Sequence, residues 1–525
     1  MNFSKLLIGP ICATALWGQG AGNVQFRDLT PLPAKSKPAG ACAGLRSLTS
    51  FDISVISATV VPPSGSAPEH CRVSLMVPPE INIEVNLPTE WNGRLYMFGN
   101  GGWAGESFEA PQRVTNRARG LKAGFVTAAT DTGHSAVSEP GASFAVSRQK
   151  LLDFGFRSLH VTSEAAKMIA RAYYGAGPSK SYYDGCSQGG REGLILAQRF
   201  PDDFDGILAG SPGLDNVGTM VARAYWMQGL ADNPFPAAKL GLLANRVYEQ
   251  CDAKDGLKDG LIDDPRRCDF KPARDLPRCE GAKDDATCFT GAQISALDRI
   301  YGDVVSQGKR VFPGWPVGAE VAGPNGQSGW IGQEISAGDR PGAWTSFGQN
   351  FLRFMMPGAK PDDDPNQLFA RFDIDKDPAR LTELRQILDA TDPDLSAFRR
   401  HGGKLMMYYG WADPQLNPLM GVEYYEQVAE KMGSSTPDFA RLYMVPGMFH
   451  CGGGVGTSVF DAATPLLKWV ESGSANNAVP DRIEASRVVS GKVTRTRPLC
   501  AYPQVARYKG SGSIDEAANF ACAKP

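Results

Sequence analysis

The sequence predicts an α/β fold with a mostly parallel sheet, and two patterns point to it. Short apolar runs bounded by Gly or Pro alternate with segments of helical periodicity, and a G-x-S-x-G motif lies between one such run and a helix. Strand, helix, strand in repetition requires crossover helices packed on a sheet. Ile81–Leu87 alternates apolar and polar residues, as a half-buried strand does. Arg94–Phe98, Gly124–Ala129, Ser181–Asp184, Gly206–Ala209, Lys404–Tyr409 and Arg441–Val445 read as further strands. Phe156–Tyr174 sets Leu159, Ala166, Ile169 and Tyr173 on one helical face. The rhythm stops after Pro212 and resumes near Phe398. The stretch between holds four clustered cysteines, an Asp-rich run and four tryptophans, and reads as an inserted subdomain, a lid by its place between catalytic segments.

At 525 residues the chain exceeds one ordinary core, and 42% hydrophobic with 21% charged residues is a globular composition. A net charge of −2 offers no field to gather nucleic acid or an anionic membrane, which disfavours both as partners. The substrate is then read by a pocket. Lys5, an apolar run from Leu6 to Trp17 and small residues at Ala21-Gly22 have the layout of a secretory signal. The expected organisation is a signal peptide at 1–22, a catalytic domain at 23–212 and 396–525, a lid at 213–395, and a secreted or periplasmic location.

Eleven cysteines, less Cys12 in the signal, leave an even ten for an oxidising compartment. Pairing by proximity suggests Cys42–Cys71, Cys251–Cys268, Cys279–Cys288 and Cys500–Cys522, which leaves Cys186 and Cys451 for each other. The count alone does not prove this connectivity.

Gly185-Cys186-Ser187-Gln188-Gly189 matches G-x-S-x-G in the strand-to-helix context that a nucleophile elbow needs. The free N–H groups at the following helix start make Gln188 N–H a candidate oxyanion donor. In the order Ser, acid, His, only His401 and His450 lie after Ser187. His401 sits in a charged run, whereas His450 follows a late strand and a Pro-Gly turn and is the expected base. Asp413, at the end of Lys404–Tyr409, is the expected acid, with Asp438 the weaker alternative because it precedes its strand. A Cys186–Cys451 bond would make neighbours of Ser187 and His450, since bonded Cα atoms lie about 4.4–6.8 Å apart. In the insertion, Cys251 to Asp263 spaces carboxylates by three and four residues with glycines between, which suits the oxygen chemistry of Ca²⁺ or a solvated acidic loop.

Gly185-Cys186-Ser187-x-Gly189-Gly190-Arg191, Asp413 and His450-Cys451 together resemble the tannase and feruloyl esterase family, which also includes mono(2-hydroxyethyl) terephthalate hydrolase. The resemblance implies an α/β-hydrolase fold with a large inserted lid, acting on esters of aromatic acids as small-molecule substrates. It implies a structural calcium in the lid, held by the side chains of Asp252, Asp255 and Asp259 and the carbonyls of Leu257 and Leu261. It places a second oxyanion donor at Gly101 or Gly102, within Gly99-Asn100-Gly101-Gly102-Trp103; the run Thr130-Asp131-Thr132-Gly133-His134 also resembles the family, but His134 is read as structural. Trp344 and Arg353 are the expected aromatic wall and carboxylate partner for the substrate. Feruloyl esterase, tannase and terephthalate monoester hydrolase activities all fit this reading. A secreted serine peptidase with the same triad and a non-catalytic binding protein on a hydrolase scaffold are the competing classes.

Overall fold

The computed structural model describes residues 34–231, 236–281, 283–321, 329–330, 336–337, 340–472 and 480–525; the expected signal segment lies outside them. Nine strands of the central sheet run in chain order as β1 (Ser54–Val61), β2 (His70–Val77), β3 (Ile81–Pro88), β4 (Arg94–Phe98), β5 (Val126–Thr130), β6 (Lys180–Cys186), β7 (Gly206–Gly210), β8 (Lys404–Gly410) and β9 (Ala440–Val445). Among the described residues they form one sheet in the order β1-β2-β3-β5-β4-β6-β7-β8-β9. From β5 through β9 every neighbouring pair is parallel. At the other end β1, β2, β3 and β5 pair antiparallel, so the sheet is mixed. β4, β5 and β7 are buried at every position, which is why they read as continuous apolar runs rather than as alternation. β1, at the sheet edge, buries only Val55 and Ala58 and carries little periodic signal.

This is an α/β-hydrolase fold. The helix Ser158–Tyr174 buries Leu159, Ala166, Ile169 and Tyr173, the residues its periodicity set on one face, and ends at Gly175 in the left-handed conformation (φ 77°). Parallel strands leave their C-terminal ends on one edge, where loops gather to form a site. There β6 leads into the helix Gln188–Arg199, and β8 and β9 lead into the loops of Asp413 and His450.

Between β7 and β8 the chain is largely helical: Asn216–Ala231, Ala237–Cys251, Gly291–Tyr301 and Ala343–Phe354 are its longer helices among the described residues. Trp226 and Trp344, on two of these helices, form with Trp315 and Trp330 a cluster whose ring centroids lie 4.7 to 5.8 Å apart. This cluster is continuous with the apolar core of the sheet. After β9, the strands Val459–Phe460, Arg482–Val489 and Lys492–Cys500 make a small antiparallel sheet.

Candidate active site

Ser187 occupies the turn between β6 and the helix that starts at Gln188, with φ 65° and ψ −120°. A non-glycine residue held there stores about 1–3 kcal/mol of strain and persists only because its surroundings impose it. The imposed contacts are visible. Ser187 N–H donates to Gly210 O on β7 at 2.9 Å, and the Ser187 carbonyl accepts from Arg191 N at 3.0 Å. The turn is so tight that a Cβ on Gly185 would lie 2.5 Å from the Gly189 backbone, so glycine is required at 185.

Asp413 follows β8 and is wholly buried. Its Oδ1 accepts from the N–H groups of Gln415 (2.9 Å) and Leu416 (3.0 Å), leaving Oδ2 for His450 Nδ1 at 2.8 Å. His450 Nε2 is buried and has no hydrogen-bond partner among the described residues. An imidazole held at Nδ1 by a carboxylate and open at Nε2 is arranged to accept a proton there. The other histidines are engaged elsewhere. His401 Nδ1 lies 3.2 Å from Asp202, and His134 Nε2 pairs with Trp103 O at 3.0 Å while its ring stacks on Phe144. Asp438 stands before β9, where its carbonyl accepts from Lys404.

Cys186 and Cys451 are bonded, with Cα atoms 5.9 Å apart across 265 residues of sequence, which brings the Ser187 and His450 loops together. The other eight described cysteines pair as Cys42–Cys71, Cys251–Cys268, Cys279–Cys288 and Cys500–Cys522. Replacing both Cys186 and Cys451 by Ala is expected to lower kcat by at least about tenfold, because a 1 Å misplacement of reacting groups can cost roughly 100-fold. Cys279→Ala with Cys288→Ala should leave kcat per folded molecule unchanged. Equal kcat in the two double variants, each normalised to folded protein by circular dichroism, would make the first disulfide a support of the fold alone.

The Gly99–Trp103 loop is fastened to the nucleophile helix by a buried network that sequence reading missed. Glu192 accepts from Asn100 N (3.1 Å), Asn100 Nδ2 (3.0 Å) and Tyr183 OH (2.8 Å), and Gly189 N–H donates to Asn100 O at 2.8 Å. Burial raises the Glu192 carboxyl, opposed by the Arg191 charge and by its hydrogen bonds with Tyr183 and Asn100. Gln188 N–H, at the first helical position, has no carbonyl one turn back, and Gly101 and Gly102 lie in the loop fastened beside it. Arg191, also fully buried, donates to Gln188 Oε1, Gly155 O, Phe154 O and Leu388 O, joining the helix to two other segments. The one available hint was a charged pair, Arg191-Glu192, inside an otherwise glycine-rich and apolar run.

The burial of Trp344 corrects one expectation about the substrate. Trp344 is wholly buried in the tryptophan cluster, with its Nε1–H on Pro414 O at 2.9 Å, so its ring is packing and not an open wall. Arg353, in the last turn of Ala343–Phe354, is half-buried, donates through Nε to Pro361 O and lies over the Phe354 ring at 5.2 Å.

In the Asp-rich loop, Asp252 Oδ1 accepts from Asp259 N and Gly260 N, Asp255 from Leu257 N, and Asp259 from Leu261 N. Asp255 and Asp263 share a hydrogen bond, and Asp263 is pushed up to about 8 by burial and then by the charges of Asp255 and Asp259. Crowded, desolvated carboxylates are the donor chemistry a hard cation relieves. Against this, Asp259 Oδ2 is held by Arg497 at 2.6 Å, and among the described residues no three acidic, His or Cys side chains converge as a metal group. The loop is pinned at its ends by Cys251–Cys268, and its carboxylates and carbonyls are the oxygen donor set that calcium takes.

A family model described as tannase and feruloyl esterase matches residues 67–523. The chain is 37% identical to a mono(2-hydroxyethyl) terephthalate hydrolase of Piscinibacter sakaiensis, over 88% of this chain and 86% of that one. It is 29% identical to feruloyl esterase B of Aspergillus niger, over 86% of each. The crystal structure of feruloyl esterase B from Aspergillus oryzae superposes with a TM-score of 0.79 at 26% identity, covering 92% of this chain and 100% of that one.

Proposed function

The chain belongs to the tannase and feruloyl esterase family and is a carboxylic ester hydrolase, and we propose that it cleaves esters of aromatic acids through an acyl-enzyme on Ser187. The observation that carries this reading is the His450–Asp413 pair, open at Nε2, on a loop bonded to the residue before Ser187. His450 Nε2 takes the Ser187 proton as Oγ attacks the ester carbonyl, then gives it to the leaving alcohol. Asp413 holds the imidazole tautomer, and the N–H groups of Gln188 and of Gly101 or Gly102 receive the oxyanion. Water, deprotonated by His450, then releases the acid and restores Ser187. The acid is of hydroxycinnamic or hydroxybenzoic type, as in feruloyl esterases. A second reading is a tannase, which the family description includes, or a terephthalate monoester hydrolase, which draws support from the similarity to the Piscinibacter sakaiensis enzyme. The same reading includes secretion through the segment 1–22; no helix among the described residues is long and apolar enough to cross a membrane.

A calcium ion in the lid would be held by Asp252, Asp255 and Asp259 with the carbonyls of Leu257 and Leu261, and would supply cross-linking of the loop. A rate panel of methyl ferulate, methyl gallate, a 4-hydroxybenzoate ester and a terephthalate monoester tests both proposals when run before and after chelation. Hydrolysis of at least one aromatic ester without cleavage of peptide substrates is expected; peptide cleavage instead would support a serine peptidase. Chelation is expected to lower the melting temperature, since a ligand at 100 times its Kd stabilises by about 2.7 kcal/mol. An unchanged melting temperature and rate would remove calcium from the account.

A further inference from the structure

Three consecutive peptide carbonyls of the acid loop are taken by side chains from the region between β7 and β8. Trp315 Nε1–H donates to Asp413 O at 3.2 Å, Trp344 Nε1–H to Pro414 O at 2.9 Å, and Arg223 Nη2 to Gln415 O. The donors come from three separate segments: the helix Asn216–Ala231, the loop after Lys309–Phe312, and the helix Ala343–Phe354. The stitching also runs the other way, since Asn417 Nδ2 donates to Pro313 O at 2.9 Å and Gly314 O at 3.0 Å. Trp315, Trp344, Arg223 and Asn417 are all buried.

The inner side of the same turn is held by Asp413 itself, whose Oδ1 takes the N–H groups of Gln415 and Leu416. A turn with its N–H groups fastened inward and its carbonyls fastened outward has little room to rock, and Oδ2 is thereby aimed at His450 Nδ1. Buried indoles find some hydrogen-bond acceptor in most folds. Burial does not require that two indoles packed 4.7 Å apart address successive carbonyls of the one loop that carries the acid.

We propose that Trp315, Trp344 and Arg223 are positioning residues for Asp413, so that this part of the inserted region belongs to the catalytic frame and is not only a cover. The proposal rests on the triad reading above. Trp344, wholly buried, commits its N–H to the loop of the acid.

The test replaces Trp315 and Trp344 singly with Phe, and singly with 3-benzothienylalanine, which keeps the indole shape and lacks the N–H. Active sites are titrated with a fluorophosphonate so that misfolded molecules are not counted, and kcat and KM are measured per titrated site. The low-field proton resonance of the His450 Nδ1–H, assigned by its loss in His450→Ala, reports the pair directly, and Asp413→Asn is run beside the set. The expected result is a kcat lower by about 10- to 100-fold in the benzothienyl variants with KM changed less than about threefold. The low-field resonance should shift or broaden. A benzothienyl kcat within about twofold of the unmodified enzyme, with the resonance in place and Asp413→Asn inactive, would reduce the tryptophans to packing and overturn the proposal. Full activity in Asp413→Asn overturns the triad instead, and the clamp with it.

Discussion

Ser187→Ala is expected to lower kcat on every ester that the enzyme hydrolyses by about 10⁴- to 10⁶-fold, with the fold and melting temperature retained. The size follows from what remains after the change. The oxyanion donors proposed at Gln188 and the Gly99–Trp103 loop are backbone groups, and the fastening of that loop through Glu192, Asn100 and Gly189 does not involve the Ser187 hydroxyl. Binding and electrostatic stabilisation would therefore survive, and only the nucleophile would be lost. A residual rate of roughly 10³- to 10⁴-fold over water is the usual remainder in that situation. Loss of the hydroxyl also removes no buried contact from the core, and alanine has to adopt the same φ of 65° that serine already adopts. A Ser187→Ala protein that unfolds would be unexpected, and one that keeps full turnover would place the nucleophile elsewhere.

Asp413→Asn should cost about 10⁴-fold in kcat. The carboxylate is wholly buried and its two oxygens are already divided between the turn N–H groups and His450 Nδ1. An amide can keep only half of this pattern. If its oxygen stays on Gln415 N and Leu416 N, its NH₂ faces Nδ1 and forces the proton to Nε2, the nitrogen that has to be free to accept from Ser187. If it flips, the NH₂ opposes two backbone donors and the turn is broken. The amide changes no volume, so a structural explanation would require loss of stability as well as of rate. Intact melting with a rate loss of this order is the expected combination, measured by calorimetry and steady-state kinetics on one preparation.

Much of the candidate site was legible because its cues are local or ordinal. The elbow is written in five residues, and the order of Ser, acid and base left few alternatives for the other two members. The Cys186–Cys451 pairing supplied a long-range contact that spacing alone does not provide, and it favoured His450 over His401. What stayed hidden depends on how distant segments meet. Trp315 reaches Asp413 across 98 residues, and nothing in the sequence around Trp315 or Trp344 says which way an indole N–H will point. Trp344 was read as a substrate wall because aromatic residues in a lid look alike whether they face a pocket or pack inward. Glu192 was hidden for a related reason: its partners, Asn100 and Tyr183, lie on β4's following loop and on β6, and only the parallel pairing of β4 with β6 brings them to the nucleophile helix. The antiparallel end of the sheet was missed at β1, an edge strand that buries only Val55 and Ala58, and at β2, which is paired on both sides and alternates buried Val73, Leu75 and Val77 with half-buried Arg72, Ser74 and Met76 over a run too short to stand out.

The central claim is that Ser187 is the acylated residue, activated by His450 and Asp413. Labelling the intact enzyme with a fluorophosphonate, followed by peptide mapping, tests it most directly. A single adduct on Ser187, accumulating in proportion to the loss of ester hydrolysis and formed far more slowly in His450→Ala, is the predicted result. An adduct on another residue, or full hydrolysis by enzyme in which Ser187 is stoichiometrically labelled, would contradict it.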